Sequence, residues 1–270
     1  MDLRAYLDRI GFTGEPRPDL ATLKALHRAH LYAIPYENLD VQLGRSVTTD
    51  PAAAFDKLVT RRRGGWCYEM NGLFGWALGE IGFEVTRMCG GVWRVARGDE
   101  AVGNHLILKV DLPDGPWLAD VGFGDGPVEP YPITPAAFAQ GFCDYRLETG
   151  EDGWWRLHNH AEGSAPSFDF RLESASEARL SELCGWLQAS PDSPFVQNAV
   201  CQRHRPGAVL QFRGRVLRTL TAAGVEETVV QSAEDYVQLL RDAFDLDMPE
   251  AAALWPAIVT RHEALFGSGE

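Results

Sequence analysis

The chain has 270 residues, 45% hydrophobic and 23% charged, with a formal net charge of −13 and a pI near 5.0. This is globular composition, enough for one large domain or two to three small ones. The acidic surface repels phosphodiester backbones, and no apolar run approaches the roughly 20 residues of a membrane span. Five scattered cysteines without a CxxC pair argue against a disulfide framework or structural zinc; with no signal-peptide layout at the N-terminus, they point to the cytoplasm.

Helical spacing dominates the first third. Asp2 caps a helix carrying Leu3, Tyr6, Leu7 and Ile10, and Gly11 stops it. Asp19 caps a second through Leu20, Leu23, Leu26 and Leu31, ending near Ile34-Pro35. Thr49-Asp50-Pro51 starts a third, ahead of Phe55, Leu58 and Val59. A fourth runs from Cys67 through Met70, Leu73, Phe74, Ala77, Leu78 and Ile81 to Gly82, with Gly64 and Gly65 as a flexible entry. The period then changes to that of strands, over 84–95, 104–111, 116–121, 154–158 and 167–173. Pro113-Asp114-Gly115 and Glu151-Asp152-Gly153 mark turns, which together predict an antiparallel sheet or small barrel. The last third mixes types: a helix over 176–188, a loop at Ser190–Pro194, and strands over 207–213, 215–221 and 225–230. A helix capped at Ser232 and one further helix over 250–266 complete it.

Chemistry gathers around three residues. Cys67 sits at a predicted helix start, where unpaired N–H groups and the dipole favour an anion, and a thiolate attacks acyl groups well. His105 lies on a strand that points His105, Ile107 and Lys109 to one face, and Asp120 closes the next strand. If those strands pair, the carboxylate can hold one ring nitrogen and leave the other for the sulfur. Read from the residues alone, Cys67 serves equally as a small buried hydrophobe, and His105 is more often a hydrogen-bonded strand histidine. Arg61-Arg62-Arg63 and Arg203-His204-Arg205 are candidate anion patches, more often solvated surface. His158 and His160 share a strand face but lack carboxylate or cysteine companions for a metal. Gly122-Phe123-Gly124-Asp125-Gly126 is not followed by a helix, which excludes a Rossmann reading.

Arg63-Gly64-Gly65-x-Cys67-x-Glu69-x-Asn71, His105-x-x-Leu108 and Asp120-Val121-Gly122-Phe123-Gly124 resemble, in order and separation, the signatures of the arylamine N-acetyltransferase family. Ile34-Pro35-Tyr36-Glu37-Asn38-Leu39 resembles a further family segment, with Tyr36 where Phe is more usual, and Ser193-Pro194-Phe195 another. The resemblance spans nearly the full length. It implies an α+β fold of the papain-like Cys-His-Asp arrangement: an N-terminal helical bundle (1–83), a central antiparallel β-barrel (84–188) and a C-terminal α/β lid (189–270).

The resemblance also implies a ping-pong reaction, in which acetyl-CoA as co-substrate acetylates Cys67 and an aromatic amine or hydrazine takes the acetyl group. No cofactor is bound permanently, and no metal, nucleic acid or membrane is involved. By carry-over, Cys67 is the nucleophile, His105 the base and Asp120 the orienting carboxylate, with Arg63 and Glu37 a buried ion pair behind the Cys loop. Glu69 and Asn71 are expected to hydrogen-bond nearby backbone. Gly122, Phe123, Gly124 and Gly126 are associated with the CoA pyrophosphate. Tyr36, Trp66, Val92, Trp93, Phe123 and Phe195 would wall an apolar acceptor pocket. Alternatives on the same residues are an amide synthase closing a macrolactam, a cysteine hydrolase and a non-catalytic binding protein. The intact triad argues against the last. Acceptor, acyl length and oligomeric state are not legible.

Overall fold

Caps set the first helices. In the computed structural model, which describes residues 1–267, the Asp2 carboxylate accepts from the Arg4 N–H and opens α1 (Leu3–Arg9). Asp19 accepts from the Thr22 N–H and opens α2 (Leu20–Ala33). Pro35 disfavours helical backbone at the residue before it, and Ile34 is extended. β1 (Tyr36–Glu37) and α3 (Leu39–Gln42) follow, then α4 (Pro51–Phe55), which runs into a π-helical turn over Asp56–Thr60. α5 (Cys67–Ile81) ends on Gly82 at φ 103°, a left-handed cap that suits glycine. Its Met70, Leu73, Phe74, Ala77 and Leu78 pack with Tyr6, Leu7, Leu23 and Leu26 into the helical core.

The middle of the chain forms one antiparallel sheet. Its strands are β2 (Glu84–Val92), β3 (His105–Leu112), β4 (Gly115–Ala119), β5 (Tyr131–Pro132), β6 (Ala136–Gln140), β7 (Cys143–Thr149), β8 (Trp155–His158) and β9 (Ser167–Phe170). The short α6 (Arg94–Arg97) links β2 to β3. Their order is β5-β4-β3-β2-β9-β8-β7-β6, and β5 and β6 do not pair with each other, so the sheet curls without closing. Alternation along β3 serves two cores. Leu108 and Val110 join the helical core, and Ile107 joins Met88, Leu118, Phe168 and Phe170 on the opposite face.

β5 to β7 went unread in the sequence. Pro132 and the alanine-rich β6 carry weak strand signals, but Cys143, Tyr145 and Leu147 alternate inward along β7 and could have been seen.

The C-terminal part starts with α7 (Glu177–Ala189), capped by Ser176, and α8 (Pro194–Gln197), capped by Ser193 within the expected loop. β10 (Val200–Arg205), β11 (Ala208–Arg213), β12 (Val216–Thr221) and β13 (Gly224–Val229) form a second sheet, with β1 as its other edge. The pairing Tyr36↔Gln202 thereby ties the segment before the Cys loop to this sheet. α9 (Ala233–Phe244) starts at Ser232, whose hydroxyl accepts from the Asp235 N–H. The expected last helix is split into a 3₁₀ stretch (Pro249–Leu254) and α10 (Trp255–Phe266). Pro256 lacks an N–H, and its ring crowds the carbonyl four residues back. Among the described residues no helix is long and apolar enough to cross a membrane.

Candidate active site

Cys67 is the first residue of α5 and is 3% exposed. The two glycines before it supply room, not flexibility. A Cβ on Gly64 would lie 2.3 Å from the Pro35 carbonyl oxygen, and one on Gly65 would lie 2.8 Å from the Glu69 carboxylate. The loop is pinned: the Glu37 N–H donates to the Gly65 carbonyl at 2.9 Å, and the Trp66 N–H donates to the Glu69 carboxylate at 3.2 Å. The sulfur lies 3.9 Å from the Asn104 carbonyl, with the His105 ring as a neighbour.

β3 and β4 pair as a hairpin, which carries His105 and Asp120 to the same end of the sheet. His105 Nε2 and Asp120 Oδ2 are 2.7 Å apart, leaving Nδ1 for the thiol. The remaining Asp120 oxygen, Oδ1, accepts from Asn71 Nδ2 at 2.7 Å and from the Gly122 N–H at 2.9 Å. Burial opposes charge on His105, but the Asp120 carboxylate and the Cys67 sulfur outweigh it and push the imidazole up to about 10. Burial likewise opposes the Asp120 carboxylate, and His105, Asn71 and the Gly122 N–H hold it below the usual range. Phe123 and Phe168 pack on the imidazole, with centroids 5.4 and 5.1 Å away. Burial pushes the Cys184 thiol up to about 12 and raises Cys89, Cys143 and Cys201 as well.

Beneath the Cys loop lies a buried charge network. Arg63 meets Glu37 at 2.7 Å and Asp40 at 3.2 Å, and Lys57 meets Glu69 at 2.9 Å and Asp40 at 3.0 Å. Burial works against the charge on Lys57, and the three carboxylates more than offset it. Burial also pushes Glu69 up to about 7, against the pull of Lys57.

The N-acetyltransferase family model matches residues 19–253. A curated arylamine N-acetyltransferase from Mycolicibacterium smegmatis is 36% identical, over 93% of this chain and 94% of the relative. One from Salmonella typhimurium, also described as an N-hydroxyarylamine O-acetyltransferase, is 33% identical over 97% and 98%. The chain belongs to the arylamine N-acetyltransferase family. The solved structure of the Mycobacterium marinum arylamine N-acetyltransferase in complex with CoA superposes with a TM-score of 0.85 at 32% identity, covering 95% of this chain and 98% of that one.

As a member of the arylamine N-acetyltransferase family, the chain gathers some of its sequence-predicted residues around Cys67 and leaves others apart. Tyr36, Trp66 and Phe195 share one apolar cluster with Cys67, Trp66 and Phe195 having centroids 5.4 Å apart. Phe123 packs on His105. Val92 belongs to the sheet core, and its N–H and carbonyl both bond the Asn104 side chain. Trp93 is 45% exposed, in left-handed backbone at φ 64°, outside the cluster around Cys67.

Gly122, Phe123, Gly124 and Gly126 are buried, and the Asp125 carboxylate sits in their midst with no exposure. It accepts from the Ser164 N–H at 2.7 Å, Gln211 at 2.8 Å, Gln202 at 3.0 Å and Asn159 at 3.1 Å. A Cβ on Gly124 would collide with Gln202 at 1.7 Å. In this geometry the segment packs the second sheet onto the first. The two arginine-rich pieces are also structural. Arg61 pairs with Asp56, Arg203 donates to the Tyr32 carbonyl, and Arg205 donates to the Asp242 and Ala243 carbonyls.

Three participants were not read as parts of the triad's support. Asn71 donates to the Leu106 carbonyl at 2.6 Å, in addition to its Asp120 bond, and accepts from the Val121 N–H. It therefore links α5, β3 and the Asp120 turn. Its position four residues after Cys67, on the same helix face, was the available signal. Asn104, whose carbonyl faces the sulfur, and His27 on α2, whose Nε2 accepts from the Asp120 N–H, carry no such local mark. A cavity of about 620 Å³ beside Asn104 is lined also by Arg97, Glu100, Arg179, Trp186 and Asp192.

Proposed function

We propose that the chain transfers an acetyl group from acetyl-CoA to arylamines and arylhydrazines through an acetyl-Cys67 intermediate. The observation that carries this reading is the Cys67–His105–Asp120 arrangement at the start of α5, in a chain of this family. His105 Nδ1 holds the thiol proton, and Sγ attacks the thioester carbonyl of acetyl-CoA. The Cys67 amide, among the first N–H groups of α5 and without an intrahelical acceptor, faces the developing oxyanion. The tetrahedral adduct collapses with loss of the CoA sulfur, which takes the proton from His105. In the second half, the amine nitrogen attacks the acetyl carbonyl, His105 accepts the amine proton, and Sγ departs as the thiolate, which restores the starting pair. Asp120 holds the ring in the tautomer and orientation that both halves need.

The cavity beside Asn104 is the approach for the donor, and the aromatic cluster of Tyr36, Trp66 and Phe195 is the wall against which the acceptor ring packs. The division into bundle (1–83), sheet (84–188) and lid (189–270) belongs to the same reading, and it is supported by apolar cores centred on each part, with Leu108 and Val110 crossing into the bundle core and Leu39 into the lid core. A cytoplasmic location suits five free thiols.

Initial rates over a grid of acetyl-CoA and arylamine concentrations test the mechanism. Parallel double-reciprocal lines, and no turnover by Cys67→Ala, are expected. Intersecting lines, or turnover without the thiol, contradict it.

A further inference from the structure

Three consecutive N–H groups hold the turn that carries the triad carboxylate, and each bonds a side chain. The Gly122 N–H bonds Asp120 itself, the Val121 N–H bonds Asn71, and the Asp120 N–H donates to His27 Nε2 at 3.1 Å. His27 lies on α2 and is 1% exposed, with its ring edge-on to Phe74 at 5.8 Å. Its other nitrogen, Nδ1, is 2.9 Å from the Val128 carbonyl. A carbonyl only accepts, so Nδ1 carries the hydrogen and Nε2 presents a lone pair to Asp120. Both partners are backbone groups on either side of the buried 121–127 segment. One neutral imidazole thus staples that segment at its two ends.

We infer that His27 is a positioning residue for the triad: its bare Nε2 fixes the Asp120 backbone so that the carboxylate stays aligned with His105. An imidazolium at this position has no lone pair and would release the Asp120 N–H. The groups that face His27 bear on its charge from several elements. Asp120 and Glu129 approach from the chain after β4, His204 from β10, and His30 from α2 itself. Lys24 and Arg28, also on α2, are engaged by Glu129. Burial dominates and holds His27 at about 4, against the pull of Val128, Asp120 and Glu129, so the neutral form is the resident one at neutral pH.

The inference rests on the acyl-transfer reading for its catalytic meaning, but its test needs no acetyl donor. The rate of Cys67 alkylation by iodoacetamide is followed against pH in the wild type, His27→Gln and His27→Met, with folding checked by thermal melts. Gln keeps an acceptor oxygen for the Asp120 N–H, and Met has similar length with no such acceptor. If His27 aligns Asp120, His27→Met weakens the thiolate–imidazolium pair. The acid limb of alkylation then moves up by about one pH unit and the rate below that limb falls about tenfold, whereas His27→Gln stays near wild type. A Met profile that overlays the wild type overturns the inference. Equal slowing in both variants with an unmoved acid limb also overturns it, since that is the mark of a merely structural histidine. Should His27→Met fail to fold, ¹⁵N spectra of the wild-type imidazoles decide. A neutral His27 with hydrogen on Nδ1 at pH 7 is expected, and hydrogen on Nε2 contradicts the assignment. Failure of acetyl transfer alone would leave both measurements standing.

Discussion

The partners of the Asp120 carboxylate are all donors: the His105 ring N–H, the Asn71 amide and the Gly122 N–H. An amide in its place must turn an NH₂ group toward one of them and lose the alignment of the imidazole. Asp120→Asn is therefore expected to lower kcat by about three to four orders of magnitude with the fold intact, as measured by single-turnover acetylation; a near wild-type rate would remove Asp120 from the mechanism. How readily residues were legible follows from how their contacts arise. Cys67 and Asn71 lie one helical turn apart, and His105 and Asp120 are brought together by a short hairpin, so a one-dimensional reading pairs each set. His27 reaches Asp120 across 93 positions, through the packing of α2 beneath the sheet, and nothing in its neighbours Leu26 and Arg28 marks it. In the glycine-rich 122–126 segment the pattern gave no hint that the buried Asp125 carboxylate gathers donors from both sheets.

Among the elements, the Cys loop depends on charges that cannot escape to water. Arg63 and Lys57 pair with Glu37, Asp40 and Glu69, and all five side chains are buried. Removing one cation strands its carboxylate partners, so Arg63→Met should cost about 3–5 kcal/mol, read as a lower urea midpoint at unchanged slope; a loss well under 1 kcal/mol would contradict that account. The Arg63–Glu37 contact was implied by the resemblance. Lys57 and Asp40 were not, because they come from α3 and the π-helical turn, where no motif marks them. Element boundaries were legible where caps are chemical: Asp2, Asp19, Asp50, Ser176 and Ser232 each bond the first turn of a helix. β10 was missed because Gln202, Arg203, His204 and Arg205 look like surface, yet Gln202 and His204 are buried as part of the junction between the sheets.

For the whole molecule, that junction makes stability depend on pH with a definite sign. Burial holds His27 at about 4 and His204 at about 3, and keeps His30 well below its ordinary value. In the unfolded chain each titrates near 6.5. Below pH 6.5 the unfolded state therefore binds protons that the folded state refuses. Stability is then lost on acidification toward pH 4, by about 1.4 kcal/mol per pH unit for each histidine. His105 works in the other direction: its raised value gives a contribution that is complete below 6.5 and fades as pH rises toward 10. Chemical denaturation at pH 7.5 and 5.5 should show the lower midpoint at 5.5, and an equal or higher one there would contradict the neutral burial of these rings.

The central claim is that Cys67 carries the acetyl group between two substrates. Intact-protein mass spectrometry after mixing with acetyl-CoA alone, with Cys67→Ala alongside, tests it most directly. The account predicts a single acetyl adduct in the wild type, none in the variant, and its discharge on addition of an arylamine or hydrazine. An adduct that persists in Cys67→Ala, or none in the wild type, would contradict it.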